Sequence, residues 1–557
     1  MPFFTVFQDH LFPTAELDRG EREKIDTFLR LLEESGVGEI IYKETNKDRS
    51  LGGRNSYNPY RLFAAIIYAF SKHSGSLRKI EESIKFDLRF IYLLNQETPS
   101  YVTISKFLNN IVVKHFEAIF VSITKTILLK YNFCFDDCFI DGTKIEANAN
   151  KYKFVYKPTT FKINLFDKIK LLLIQYFPLS ENKITFVSKE VASYVSLMLE
   201  LLKKQNIDIN TIKIGRGHRN PKIVSDYLLL STYLIKLLDY EEKERICGPN
   251  RNSYFKTDHD ATAMCLKEDY YSGLGSNTHA AYNFQIIVSK GIILSFYISC
   301  DRTDQYTLIP TLQKFYQLYG FFPKRLCGDA GYGSLKNYSF LQNNNIENYI
   351  KFADWAKVVS GDTYDLFYFN DNEDLICMNH KVALKTRFFE NRYAHKGSFL
   401  YVIQSCSYCR LKKYCQANLK VIRNYRIFDV NYDYSIIKKK VTQYLLSPKG
   451  IEMRVNRSSQ VEGAFGVIKQ DMVYDRTRRR GLQNVSLEFM LVCLGYNIRK
   501  LFSLIEGKAK TDYWVAPIDL KPETIPKIDY DKIFKKTRKK GVNESLRKSY
   551  KYKKRSC

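Results

Sequence analysis

Apolar residues recur at three- and four-residue steps through the early part of the chain. Leu62, Ile66, Ile67 and Phe70 form one run, Leu77, Ile80 and Ile84 a second, Phe90 and Leu93 a third. That step is the period of one helical face, so residues 1–130 are expected to form an all-α N-terminal domain of short helices. Gly75 interrupts the pattern, and Pro99 precedes another apolar stretch at 102–111. Such a set of helices suits a helix-turn-helix DNA reader, whose second helix enters the major groove. The segment 103–114 is the candidate reader, with Lys106, Asn109, Asn110 and Lys114 as polar contacts. An ordinary helical packing domain has the same period, and the pattern alone does not separate the two.

The texture changes after Phe133. Phe139 and Ile140 lead into Asp141-Gly142, a strand expected to run into a turn. Residues 151–257 return to helical spacing and read as an insertion. The clearest β signal spans 282–299, where two β-rich runs flank Ser289-Lys290-Gly291 and predict a hairpin. Leu308, Leu312, Phe315 and Tyr319 then mark one face of a helix, with Gly320 at its C-cap. A short strand, 324–328, ends at Asp329, and 346–352 reads as a further strand. Residues 353–450 read as an irregular insertion holding a cysteine cluster. Val461, Ala464, Ile468 and Met472 stripe a later helix that carries Glu462, and 485–502 is a second.

The order is strand with acid, hairpin, helix, strand with acid, strand, insertion, helix with acid. It is the layout of an RNase H-like α/β domain with insertions, running from 131 to 510 behind the all-α N-terminal domain. In open α/β sheets, acids at the C-terminal ends of adjacent strands face the crevice where ligands bind. Asp141, Asp329 and Glu462 would meet there. Each taken alone is as well explained as a turn Asp or a solvated helix charge. The element order joins them. Three oxygen donors suit a pair of Mg²⁺ or Mn²⁺ ions, which serve phosphodiester chemistry by clamping the attacking and leaving oxygens.

Charge points the same way. Across 557 residues, 87 Lys and Arg outnumber 59 Asp and Glu, a formal net charge of +28. The segment 532–557 holds many of those cations beside one acid, Glu544, and reads as a flexible basic tail within 511–557. The body remains basic without it, which suits a polyanion partner. No uncharged apolar run of about 18 residues suggests a membrane span, and no basic-then-apolar leader opens the chain. A cytoplasmic protein acting on DNA is expected, with cysteines reduced or bound to metal.

Three extended motifs carry a resemblance. Residues 139–150, from Phe139-Ile140-Asp141-Gly142-Thr143-Lys144, resemble the first-Asp motif of bacterial insertion-sequence DDE transposases, in particular the insertion-sequence-four-like group. Gly328-Asp329-Ala330-Gly331-Tyr332-Gly333 resembles their second-Asp motif, and Gln460-Val461-Glu462-Gly463-Ala464-Phe465 the helix bearing their Glu. Residues 99–107 are similar to the N-terminal domain of the same group. The resemblance implies that Asp141, Asp329 and Glu462 bind two metal ions and catalyse strand cleavage at element ends and strand transfer into target DNA. It also implies a homodimer in the synaptic complex. The family's Tyr-Arg-Glu-Lys signature is met at Glu462 and Lys469, but its Tyr and Arg positions hold Val455 and Ser458, with Arg454 and Arg457 as possible stand-ins. Two helical turns separate Glu462 from Lys469, which would place Lys469 on a DNA phosphate. A metal-dependent nuclease without strand transfer, or a domesticated DNA-binding protein without catalysis, is the other reading.

Cys406, Cys409 and Cys415 lie close in sequence, with Cys377 upstream. Cys-x-x-Cys is the usual first half of a structural zinc site, though Cys377 and Cys415 do not complete a standard spacing. Structural Zn²⁺ and four free thiols are both open.

Overall fold

The computed structural model describes residues 17–45, 57–72, 76–178, 183–207, 220–249, 251–267, 269, 277–360, 366–390, 397–416, 419, 421–509 and 513–525. Gly75 and the basic tail 532–557 lie outside the described residues.

Among the described residues, seven α-helices precede the first strand: α1 (Arg19–Glu34), α2 (Val37–Thr45), α3 (Pro59–Lys72), α4 (Leu77–Phe86), α5 (Leu88–Leu93), α6 (Tyr101–Phe107) and α7 (Val113–Lys130). Their starts follow side-chain chemistry. The carboxylate of Asp18 accepts from the Gly20 and Glu21 amides ahead of α1, Asp87 caps α5, and the Ser100 hydroxyl caps α6. The segment 103–114 is helical, but it is not a short reader helix that ends. A single π turn, Leu108–Val112, carries α6 straight into α7.

The sheet contains β1 (Asp137–Glu146), β4 (Thr262–Met264), β5 (His279–Ser289), β6 (Ile292–Ser299), β7 (Arg325–Cys327) and β8 (Glu347–Asn348). Its order is β4-β5-β1-β7-β8, with β6 also on β5. β5 runs antiparallel to β1, β4 and β6, whereas β7 and β8 run parallel to β1. This mixed α/β arrangement is consistent with the RNase H-like layout expected. Two details differ. β1 does not turn at Gly142 but runs on to Glu146, and only Glu347 and Asn348 of the 346–352 stretch pair as a strand.

The segment between β1 and β4 is a body of its own. Helices α8 (Thr159–Leu173), α9 (Ser188–Lys204) and α10 (Lys222–Cys247) pack around Leu165, Ile169, Val191, Met198, Leu230 and Leu237. The antiparallel pair β2 (Phe154–Tyr156) and β3 (Ser253–Phe255) closes its base. The 353–450 stretch is more regular than its sequence suggests. A β9–β10 hairpin (Phe367–Phe369, Leu375–Cys377) and a three-stranded sheet of β11 (Leu384–Phe389), β12 (Ser398–Ile403) and β13 (Arg426–Val430) enclose a second separate core.

The helix Leu482–Ile505 joins the N-terminal helices to the sheet. It is mainly apolar and buried without a break from Leu487 to Ile498, as a helix at the centre of a core must be. It lies against α3, α7 and β6. A methyl group at Gly495 would stand 2.6 Å from the Phe70 carbonyl, so the glycine permits backbone contact with α3. On the other side, the fully buried Asn497 accepts from the Ile293 amide at 2.8 Å and donates to the Ile293 carbonyl at 2.9 Å. It thereby satisfies backbone groups of β6 that no strand pairs. One continuous core results, reaching from Ile25 to Leu501.

Candidate active site

The ladder register brings the two aspartates together. Phe139 on β1 pairs with Cys327 on the parallel β7. Asp141 and Asp329 each lie two residues further on, and side chains alternate faces along a strand, so both acids emerge on the same face of neighbouring strands. The approach is tight: a Cβ at Gly328 would stand 2.9 Å from the Ile140 side chain.

The third acid comes from a helix with an altered period. Pro448–Arg457 is α-helical, Ser458–Glu462 is a π turn, Gly463–Gly466 is α again, and Val467–Asp471 is a second π turn. Widening to five residues per hydrogen-bonded step aligns Arg457 with Glu462, whose carboxylate accepts from the guanidinium at 2.8 Å. Ser458 Oγ donates to the other Glu462 oxygen at 2.9 Å. Arg457 also lies 3.2 Å from Asp141 and 4.0 Å from Asp329. The three acids therefore converge on one guanidinium whose side chain is 12% exposed. Burial pushes the Asp141 carboxyl up to about 6; Arg457 and the Gly142 amide oppose that, and Asp329 and Asp304 reinforce it.

Sequence reasoning missed Asp304. It opens the turn Asp304–Tyr306 after β6 and accepts from Asn283 Nδ2 at 2.8 Å and Gln285 Nε2 at 3.1 Å. Tyr332, within the Asp329 motif, donates to the Gln285 side-chain carbonyl. A Cβ at Gly142 would collide with Gln285 and Asp304, so this glycine makes room for the network rather than forming a turn. The available signal was the pair Asn283 and Gln285, two fully buried amides on an otherwise apolar strand. Asp304→Ala removes the acceptor of Asn283 Nδ2 and one of the two acceptors of Gln285 Nε2, which keeps Asn283 Oδ1. It is expected to destabilise the protein by about 1–3 kcal/mol, whereas Asp304→Asn keeps an acceptor and costs less. Equal melting temperatures for Asp304→Ala and the parent would show that the network carries no stability.

The carboxylate set suits hard divalent cations, being all oxygen and already gathered around a buried positive group. Among the described residues, however, no three of His, Cys, Asp or Glu stand in an arrangement that could hold a metal ion. Arg457 occupies the space between these acids.

A family model described as "Transposase DDE domain" matches residues 376–502, and one described as "Transposase domain (DUF772)" matches residues 18–110. Both matches support an insertion-sequence DDE transposase. The first match takes in Glu462 and Arg457; the second takes in α1 to α6. Together they support a DNA transposase role and, with it, DNA binding and membership of the polynucleotidyl transferases. No curated protein and no solved structure matches. Among the described residues no helix is long and apolar enough to cross a membrane.

The remaining candidate residues divide. Lys469 lies in the second π turn, so the regular two-turn step from Glu462 expected of an α-helix does not hold. Lys106 is exposed on α6. Lys114 pairs with Glu44 at 2.8 Å, and Asn109 accepts from Arg479 at 2.5 Å. Of the four candidate cysteines, three, Cys377, Cys406 and Cys415, share the small core of the 353–450 segment. Burial pushes the Cys415 thiol up to about 11, with Cys406, Cys377 and Cys409 close enough to add to the rise.

Proposed function

We propose that this chain is a DNA transposase that cuts at the ends of its element and joins the freed strands to target DNA, with Asp141, Asp329 and Glu462 as the catalytic carboxylates. The observation that carries the reading is the convergence of three acids, from two strands and a distant helix, on Arg457. These carboxylates would hold two Mg²⁺ or Mn²⁺ ions, whose chemistry is to activate the attacking oxygen and stabilise the leaving one. The chain's own contribution is placement. β1 and β7 fix the two aspartates, and the π turn presents Glu462 from the side. Arg457, once displaced from the carboxylates, becomes a fork-shaped donor beside the scissile phosphate.

The reading extends to an RNase H-like catalytic domain over 131–510, interrupted at 151–257 and 353–450, behind a DNA-binding domain at 1–130 and ahead of the tail 511–557. Lys469, Lys106, Asn109 and Lys114 are proposed DNA contacts. Membership of the insertion-sequence-four-like group, a homodimer in the synaptic complex and action in the cytoplasm complete it. Nicking of supercoiled plasmid with Mg²⁺ or Mn²⁺ tests cleavage, and loss of a marked donor with recovery of insertions tests strand transfer. Nicking without insertions would leave a nuclease; neither activity would leave a DNA-binding protein.

Cys377, Cys406, Cys409 and Cys415 are proposed as a structural zinc site. The Cys406 and Cys415 thiols, raised by burial and by the neighbouring cysteines, ionise with difficulty unless a cation neutralises them. Freshly purified, reduced protein is expected to carry about one zinc per chain and to lose it on Cys406→Ser. Folded protein without zinc would leave four free thiols.

A further inference from the structure

A second basic site lies away from the carboxylates. A cleft of about 670 Å³ opens between α4, α6 and the loop before the helix Leu482–Ile505, lined in part by Arg78, Arg478, Arg479, Arg480, Asn109 and Asn148. Its one carboxylate, Glu488, is buried and turned to the backbone: it accepts from the Arg478 amide at 3.1 Å and the Arg479 amide at 2.9 Å. The loop is thereby held with three successive arginines presented to the cleft. Arg78 and Arg480 are exposed, and Arg78 also stacks over Tyr101. Burial pulls the Arg479 guanidinium below its ordinary value, a deficit that an anion in the cleft would offset.

The loop is stitched to the strand that carries Asp141. Thr477 donates its amide to the Glu146 carbonyl at 2.8 Å, and the Asn148 amide donates to Thr477 Oγ1 at 3.0 Å. Asn148 Nδ2 reaches the Arg478 carbonyl at 2.7 Å, and Arg480 Nε the Asn148 carbonyl at 2.8 Å. The five steps of β1 from Asp141 to Glu146, where the loop is attached, span roughly 17 Å at the rise of a strand. At 3.4 Å per base pair, that is about five base pairs of duplex.

We propose that this cleft binds the phosphate backbone of duplex DNA about five base pairs from the carboxylates, through Arg78, Arg478 and Arg480. Planar guanidiniums suit phosphate oxygens, and backbone contacts set register without reading sequence. The inference rests on the transposase reading for its choice of polyanion. The cleft joins the two segments that the family models match, so the N-terminal helices and the catalytic strand would grip one duplex together.

The test uses the full chain and a random-sequence 30-base-pair duplex, with affinity followed by fluorescence anisotropy from about 50 to 200 mM salt. Arg78→Gln with Arg480→Gln removes two contacts. The slope of log affinity against log salt is expected to fall by about two, and binding at 0.15 M salt to weaken about 30-fold. Arg78→Lys with Arg480→Lys keeps the charge and is expected to retain most of the slope. A control pair, Lys357→Gln with Lys508→Gln, removes two exposed lysines elsewhere and should leave it nearly unchanged. An unchanged slope in the glutamine pair, or an equal loss in the lysine pair, overturns the proposal. Normal cleavage by Asp141→Ala would instead sink the carboxylate reading while leaving this measurement intact.

Discussion

Asp141→Ala, Asp329→Ala and Glu462→Ala are each expected to lower plasmid nicking by about 10³-fold or more while leaving duplex binding nearly intact. Each removes one oxygen ligand, and metal-centred charge stabilisation amounts to several kcal/mol of barrier, with each 1.4 kcal/mol a factor of ten. None removes basic surface. A variant of any of the three that still nicks near the parent rate would sink the assignment. Acidity supplies a second readout. Asp141 holds its proton up to about pH 6 because it is buried, so its carboxylate form is lost as pH falls through that value. Protons then compete with metal, and the Mn²⁺ needed for half-maximal nicking is expected to climb below about pH 6. Arg457→Ala takes away the attraction that opposes the rise, so the climb should begin at higher pH. A Mn²⁺ requirement flat from pH 5 to 8 would contradict this account of Asp141.

Gly495→Val is expected to leave little soluble protein, and Gly495→Ala to lower the melting temperature. In an exposed helix, alanine for glycine would gain roughly 1 kcal/mol. Here the added methyl would stand 2.6 Å from the carbonyl carbon and oxygen of Phe70, and both are backbone atoms that no rotamer change can move. Overpacking of this kind costs about 1–3 kcal/mol and sometimes more, and the larger valine can only worsen it. A Gly495→Ala protein that melts higher than the parent would show that α3 and the helix Leu482–Ile505 can separate without loss.

What the chain discloses in one dimension is what depends on near neighbours. The period of Leu62 to Leu93 marks the N-terminal helices, and the β-rich runs around Lys290-Gly291 mark the hairpin, because burial of a helix or strand face writes itself locally. Asp141, Asp329 and Glu462 stand out through their order among those elements. Arg457 is legible only as one of two stand-ins for the family's Arg, because its reach to Glu462 depends on a π turn that has no residue signature, and a second π turn breaks the regular α-helical step from Glu462 to Lys469. Asp304 is hidden because its partners, Asn283 and Gln285, lie across a hairpin from it. The three arginines 478–480 carry no signal of their own in the sequence, where a short run of charge is usually a solvated face. Only its stitching to Glu146 and Asn148, far earlier in the chain, turns it into a cleft wall.

The shared core has a consequence for the order in which the protein can be made. The N-terminal helices leave the ribosome first, yet α3 is buried on all sides, and one of those sides is the helix Leu482–Ile505. Until that helix is synthesised, Ile66, Ile67 and Phe70 have only part of their packing, and the β6 edge lacks Asn497. The body within 151–257 has its own core and can form early, as domains generally do during synthesis. The arginine loop and the carboxylate centre cannot, because both need the last third of the described chain. A nascent chain that stops short of the helix Leu482–Ile505 would therefore hold folded parts and an exposed apolar groove, with neither the arginine cleft nor the carboxylate centre fully supported.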